Sequence, residues 1–195
     1  MRKAGRTRRA LLGASLGLAM LCALRPAEAN QLLPAEGTVE VAFAPAGQPE
    51  ALLVRVIGQA KSSIEVQAYS FTSRPIAAAL IAAHRRGVRV RVLADERMNR
   101  RGTGNVLPDL VAAGIPVAFE TRYAAAHNKV LIADADGPVC TLATGSFNFT
   151  RAASTRNAEN LIVLRDNCPL VQAYLENWQR HREDASPVVA DYWND

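Results

Sequence analysis

The chain has no apolar run long enough for a comfortable membrane span, no internal repeat, no low-complexity tract and no His/Cys/Asp/Glu cluster at metal-ligand spacing. The first absence leaves no stable helical membrane span, and the next two give no sign of repeat arrays or disordered linkers. The last leaves nothing that calls for a cofactor or a metal. Cysteine and histidine are scarce, with three of each. A histidine that does chemistry must therefore be His84, His127 or His181.

An excess of charge is missing too, once the first 29 residues are set aside. Arg2, Lys3, Arg6, Arg8 and Arg9 form a charged start, Ala10 to Leu24 an apolar stretch closed by Arg25 and Pro26, and Ala27-Glu28-Ala29 a small-x-small cleavage signal. This is the pattern of a signal peptide cut after Ala29, which predicts a periplasmic or secreted protein. Thr7-Arg8-Arg9 leaves twin-arginine export open beside the general route. The whole chain carries 23 Lys+Arg against 18 Asp+Glu, but residues 30–195 carry 17 of each. The basic balance thus belongs to the leader and is no argument for nucleic acid. What remains is local: Arg89, Arg91, Arg97, Arg100 and Arg101 crowd one segment, where they could track phosphates or form a solvated face. Cys22 leaves with the leader. Cys140 and Cys168 remain, an even number in an oxidising compartment, where they form either a disulfide or two buried thiols.

Residues 30–195 fit one domain. Thr38 to Phe43 alternates as a strand, and Pro49 opens a helix with Leu53, Ile57 and Ala60 on one face. Ser63 to Ser70 is a strand. Pro75 starts a helix with Ile76, Leu80 and Ala83 aligned, and Val88, Val90 and Val92 alternate as the next strand. A loop over Asp95–Gly104, a short helix to Ala113 and a strand through Val117 and Phe119 follow. This β-α-β-α-β-α-β order predicts an α/β fold, a mixed but mainly parallel sheet with helices on both faces. Two further strands flank the turn at Asp136-Gly137-Pro138, and a third covers Leu161–Leu164. Pro169 opens a last helix with Val171, Tyr174, Leu175 and Trp178 as its buried stripe. The tail after Glu183 is expected to be loose.

Against this background the segment 127–160 is dense in groups that bind or attack phosphate. His127 and Lys129 lie two apart at the head of an apolar run, so a strand would project them together. Imidazole is a competent nucleophile near neutral pH, and an ammonium can neutralise charge on phosphoryl oxygens. Ser146 and Asn148 repeat the two-residue spacing and can hydrogen-bond phosphate oxygens. Glu159, at the head of another strand, can accept a hydrogen bond from one ring nitrogen of His127 and leave the other free. Asp134 is too far along the strand to orient His127, and is read as structural, capping the strand end or pairing with a basic neighbour. His84 lies beside Arg85 and Arg86 on a helix, and neither it nor His181 sits in a comparable setting.

Singly, each fragment would be a solvated strand face or a turn. Together, H-x-K-x-x-x-x-D from His127 to Asp134, Gly145-Ser146-Phe147-Asn148 and Asn157-Ala158-Glu159-Asn160 resemble the phospholipase D superfamily, and most closely its small one-motif bacterial endonucleases. The resemblance implies a phospholipase D-like fold over most of residues 30–195 and an active site of His127, Lys129, Ser146, Asn148 and Glu159. It also implies phosphodiester hydrolysis through a covalent phosphohistidine. That mechanism needs two proton-competent groups, yet only one such motif is present. A homodimer that shares its active site across a two-fold axis resolves this. Three readings follow: a metal-independent endonuclease on DNA or RNA, a phospholipase D cleaving phosphatidylcholine-type lipids to phosphatidate, or a non-catalytic binding protein on the same scaffold. Small size, the single motif and the arginine-rich segment favour the first.

Overall fold

Alternating and helically spaced apolar residues sort the described residues into fourteen elements and a final 3-10 turn. The computed structural model describes residues 30–100 and 104–193; the expected signal peptide (1–29) and Arg101 lie outside the described residues. In chain order the elements are β1 (Thr38–Ala44), α1 (Pro49–Gln59), β2 (Ser63–Ala68), α2 (Arg74–Arg85), β3 (Arg89–Asp95), α3 (Glu96–Asn99) and α4 (Leu107–Ala112). There follow β4 (Val117–Glu120), β5 (Lys129–Ala133), β6 (Thr141–Gly145), α5 (Arg151–Thr155), β7 (Glu159–Arg165), α6 (Cys168–Glu183), β8 (Ser186–Pro187) and the turn Ala190–Trp193.

All eight strands among the described residues join one sheet in the order β1-β7-β6-β5-β2-β3-β4-β8. The mixed α/β architecture with helices on both faces follows the sequence pattern. Its parallel part is smaller than the βα alternation predicts, being confined to β2, β3 and β4. β1 does not head the parallel series. It crosses to the far edge and pairs antiparallel with β7, Val41 opposite Ile162. Strand patterning reports which face is buried but not which neighbour a strand takes.

Two cores result. On one face α1, α2 and α4 cover Ile64, Val66, Val90, Val92, Leu131 and Val163. On the other, Val171, Leu175 and Trp178 of α6 cover Leu93, Val130, Ile132 and Leu142. Trp178 is fully buried, and its Nε1 donates to the carbonyl of Val66 at 2.9 Å. Helix starts carry the expected caps: Ser73 Oγ accepts from Ile76 N at 3.2 Å, and Asn167 Oδ1 from Leu170 N at 3.2 Å. Each is followed by a proline in the first turn, where the missing N–H costs nothing.

Cys140, just before β6, and Cys168, the first residue of α6, form a disulfide with a Cα separation of 5.6 Å. The tail is not loose. Tyr192 and Trp193 pack on Phe119 with ring centroids 5.0 and 6.2 Å away, and β8 adds a short strand beside β4. No helix among the described residues is long and apolar enough to cross a membrane.

Candidate active site

The adjacent strands β2, β5, β6 and β7 alternate in direction, so the C-terminal ends of β2 and β6 meet the starts of β5 and β7. The same edge holds the C-terminal ends of parallel β3 and β4, the end at which open α/β sheets place ligands. His127, Lys129, Ser146, Asn148 and Glu159 all belong to this edge.

His127 stands just before β5 with its side chain exposed. The backbone beside it is held by the Tyr69 N–H, which donates to Asn128 O at 2.9 Å and extends the β2–β5 ladder by one residue. The Tyr69 ring lies against the imidazole, centroids 4.3 Å apart and planes at 60°. Lys129 is 5% exposed. Its Nζ donates to the His127 carbonyl at 2.8 Å and sits 4.7 Å from the Tyr69 ring centroid. Burial lowers the Lys129 pKa, and the nearby Glu159 carboxylate works in the opposite direction. Taking an ammonium out of water disfavours its charged form, and a neighbouring anion restores it.

The approach to His127 is pinned from below. Asp95, buried at the end of β3, accepts from Ala126 N at 2.8 Å and from Met98 N at 2.9 Å. Arg97 donates to Ala124 O at 3.2 Å, and Arg122 is ion-paired with Asp184 after α6.

The second fragment explains its own spacing. Phe147 and Phe149 point into the core, and Phe149 meets Phe71 edge-on at 5.6 Å. The alternate residues Ser146 and Asn148 are thereby turned away from the core, Ser146 exposed and Asn148 half-buried. Gly145 is required just before them, because a Cβ there would lie 2.4 Å from Asn160 O. Ser146 Oγ donates to Glu159 Oε2 at 2.6 Å and accepts from Asn160 N at 3.0 Å. Asn157 Nδ2 donates to Glu159 Oε1 at 2.9 Å. The buried Oδ1 of Asn148 takes no hydrogen bond among the described residues. The expected Glu159–His127 hydrogen bond is not formed among the described residues. Both Glu159 oxygens are taken by Ser146 and Asn157, so the carboxylate reaches the site through Ser146 and through its field on Lys129.

Asp134 lies at the other end of β5, clear of these groups. It adopts a left-handed backbone (φ 52°) and accepts from the backbone N–H groups of Lys61, Ser62 and Ser63 and from Ser62 Oγ, at 2.6 to 3.1 Å. Burial pushes its carboxyl up, but these hydrogen bonds outweigh that and hold its pKa below the ordinary carboxylate value. Its partners are the start of β2, with no basic side chain involved.

The arginines divide. Arg89 and Arg91 begin β3, at the sheet end opposite His127. Arg91 bonds the fully buried Glu65 at 2.8 Å and stacks on Trp178 at 4.6 Å, with Arg89 3.6 Å from the same carboxylate. Their alternation with valines put them on one face, but only the strand direction shows that this face is remote from the site. Arg97 and Arg100, on and just after α3, are exposed on the His127 side. Of the groups now seen at the site, Tyr69 carried no sequence signal beyond strand propensity. Asn160 was visible in its fragment without a role.

A family model described as "Cardiolipin synthase, PLD-like domain" matches residues 53–182. A phospholipase D of Rickettsia prowazekii is 39% identical over 150 residues, 77% of this chain and 70% of that protein. A mitochondrial cardiolipin hydrolase of Xenopus laevis is 33% identical over 142 residues, 73% of this chain and 64% of its own length. Among solved structures, the phospholipase D family member Nuc from Salmonella typhimurium superposes with a TM-score of 0.74 at 37% identity, covering 79% of this chain and 99% of Nuc. Matches of this extent, over the strands that carry His127, Lys129, Ser146, Asn148 and Glu159, place the chain in the phospholipase D superfamily of phosphodiesterases, beside its small endonuclease-like members.

Proposed function

We propose that the protein is a metal-independent phosphodiesterase that works through a phosphohistidine on His127, acting on DNA or RNA as an endonuclease of broad specificity. The observation that carries this is the pairing of an exposed imidazole with a buried ammonium at open strand ends. A ring nitrogen of His127 attacks phosphorus, forming a P–N bond while the P–O bond to the leaving alkoxide breaks. Lys129 and the Asn148 amide neutralise and hold the phosphoryl oxygens. A second histidine gives the leaving oxygen its proton, then takes one from the water that cleaves the P–N bond.

That histidine is the partner's His127 in a homodimer. Support for a partner comes from the sheet. Val39, Val41 and Phe43 alternate along β1 and are 64%, 51% and 62% exposed, and Ile162, opposite Val41, is 36% exposed. They form a bare apolar stripe on the α6 face of the sheet, reaching the β7 end where Glu159 lies. A contiguous exposed apolar patch of this kind marks an interface. The disulfide supports export to an oxidising compartment.

Arg97 and Arg100 on the site side favour nucleic acid. A phospholipid substrate is the second reading, favoured by exposed Met98 and Tyr123 near the same rim and by the lipid-directed names of relatives such as those from Rickettsia and Xenopus. Purified protein spanning residues 30–195, in millimolar EDTA, should nick plasmid DNA and leave phosphatidylcholine vesicles intact. The converse gives the case to a phospholipase D. Inertness towards both, with no phosphate trapped on His127, overturns catalysis in favour of a binding protein.

A further inference from the structure

Tyr69 is the common neighbour of the two groups that the proposed mechanism relies on. Its ring lies 4.3 Å from the imidazole of His127 and 4.7 Å from the ammonium of Lys129. Neither contact is an accident of a loose side chain. Tyr69 follows β2 directly, and its N–H donates to Asn128 O at 2.9 Å, between the two residues it touches. Its carbonyl accepts from Asn99 Nδ2 at 2.8 Å. Asn99 is 1% exposed and is itself fixed, accepting from Phe71 N at 3.0 Å and donating to Asp95 O at 2.8 Å. Asp95 in turn holds Ala126 N, one residue before His127. The aromatic ring is therefore tied by backbone on both sides to the segment that carries the nucleophile.

The remaining contacts show why a ring is needed there. His127 is exposed, and its side chain has no hydrogen-bond partner among the described residues, so the tilted ring contact is what limits its rotation. Lys129 is nearly buried, which works against its charge, and its hydrogen bond goes to a backbone carbonyl and not to an anion. The π-face of an aromatic ring carries negative potential and attracts an ammonium held over it. An aliphatic side chain of equal volume would fill the space without either effect.

We propose that Tyr69 is a positioning residue of the reaction centre, whose ring holds the His127 imidazole in its attacking orientation and keeps the Lys129 ammonium in place and charged. The role belongs to the ring and not to the phenolic hydroxyl, which makes no hydrogen bond among the described residues. The proposal rests on the assignment of His127 and Lys129 as nucleophile and charge donor, and its test separates the two.

The test compares Tyr69→Phe and Tyr69→Leu with the wild-type protein, using bis(p-nitrophenyl) phosphate as substrate and lysine labelled with 13C at Cε. Tyr69→Phe should keep kcat within about threefold. Tyr69→Leu should lose roughly 10- to 100-fold in kcat with KM little changed, the scale of a misplaced nucleophile. The Lys129 signal should titrate about half a pH unit earlier in Tyr69→Leu than in Tyr69→Phe, and the alkaline limb of kcat should move with it. A purely space-filling role would lower the melting temperature of Tyr69→Leu without moving the titration. Equal kcat and equal Lys129 titration in Tyr69→Leu and wild type would overturn the proposal, as would a Tyr69→Phe variant as slow as Tyr69→Leu. If the wild-type protein itself turned nothing over, the functional reading would fail, while the Lys129 titration would still decide whether the ring supports the ammonium.

Discussion

The Lys129 ammonium donates a 2.8 Å hydrogen bond to the carbonyl of His127, so the proposed charge donor is anchored to the backbone of the proposed nucleophile. The ammonium cannot swing away from the His127 backbone without giving up that hydrogen bond. This arrangement fits a site that must hold its charge in place before substrate arrives.

Lys129→Ala should accordingly cost about 2–4 kcal/mol of transition-state stabilisation, the scale for loss of one preorganised donor. Steady-state kcat/KM on a small activated phosphodiester measures it. His127→Asn should fold normally and lose nearly all turnover, with no phosphate trapped on the protein. Turnover surviving in His127→Asn would place the nucleophile elsewhere.

The pH dependence has a definite sign. Burial lowers the Lys129 pKa from that of a free lysine, so the ammonium is lost, and activity with it, at a less alkaline pH than for an exposed lysine. The Glu159 carboxylate opposes this shift. Glu159→Gln should therefore draw the alkaline limb of the kcat profile further towards neutrality, while reducing kcat less than His127→Asn does. A limb that stays fixed in Glu159→Gln would show that the two charges do not communicate.

That His127, Lys129, Ser146, Asn148 and Glu159 share one end of the sheet was legible because each sits on or next to a strand whose apolar pattern is plain, and a two-residue spacing needs no tertiary knowledge. The partners of Glu159 were not legible. Whether its carboxylate meets His127 or Ser146 depends on the β6–β7 register and on the close approach at Gly145, which are pairing properties. The same limit explains β1. Its alternation was readable, but its place beside β7 is a pairing property that the pattern of one strand does not report. The tail was misjudged because Tyr192 and Trp193 find a partner in Phe119, distant in sequence.

Asp134→Asn tests the structural end of the motif. The folded-state pKa of Asp134 is depressed, so its contribution is present above the ordinary carboxylate range and is lost as pH falls through the folded value. Asparagine tolerates the left-handed backbone but cannot accept all the hydrogen bonds from residues 61–63. Stability at neutral pH should fall by about 1–3 kcal/mol, with a smaller difference from wild type in acid, as urea titrations at several pH values would show. Loss of turnover in a stably folded Asp134→Asn protein would contradict this role.

The apolar stripe on β1 gives the proposed dimer a test that does not touch the core. Val41→Glu with Phe43→Glu changes side chains more than half exposed in the single chain, so folding should be kept. Light scattering should then report a monomer where wild type reports twice that mass, and phosphodiester cleavage should fall together with the dimer. A fully active monomer would remove the shared site and require another proton donor within the chain.

The arginines should separate by the sheet end they occupy. Arg97 and Arg100 lie on the His127 side, so Arg97→Ala with Arg100→Ala should weaken DNA binding and reduce the slope of log affinity against log salt by roughly one to two. Cleavage of a small activated phosphodiester should be kept, because neither residue reaches the reacting groups. Arg91→Ala removes the main partner of a fully buried carboxylate and a stack on Trp178. Its effect should be on stability, on the order of 3 kcal/mol, with the salt slope unchanged. A flattened slope in Arg91→Ala, or an unchanged one in the Arg97→Ala, Arg100→Ala protein, would mean that the phosphate path runs over the opposite end of the sheet. That outcome would be hard to reconcile with cleavage at His127, since the nucleic acid would then be held at the end of the sheet opposite the proposed nucleophile.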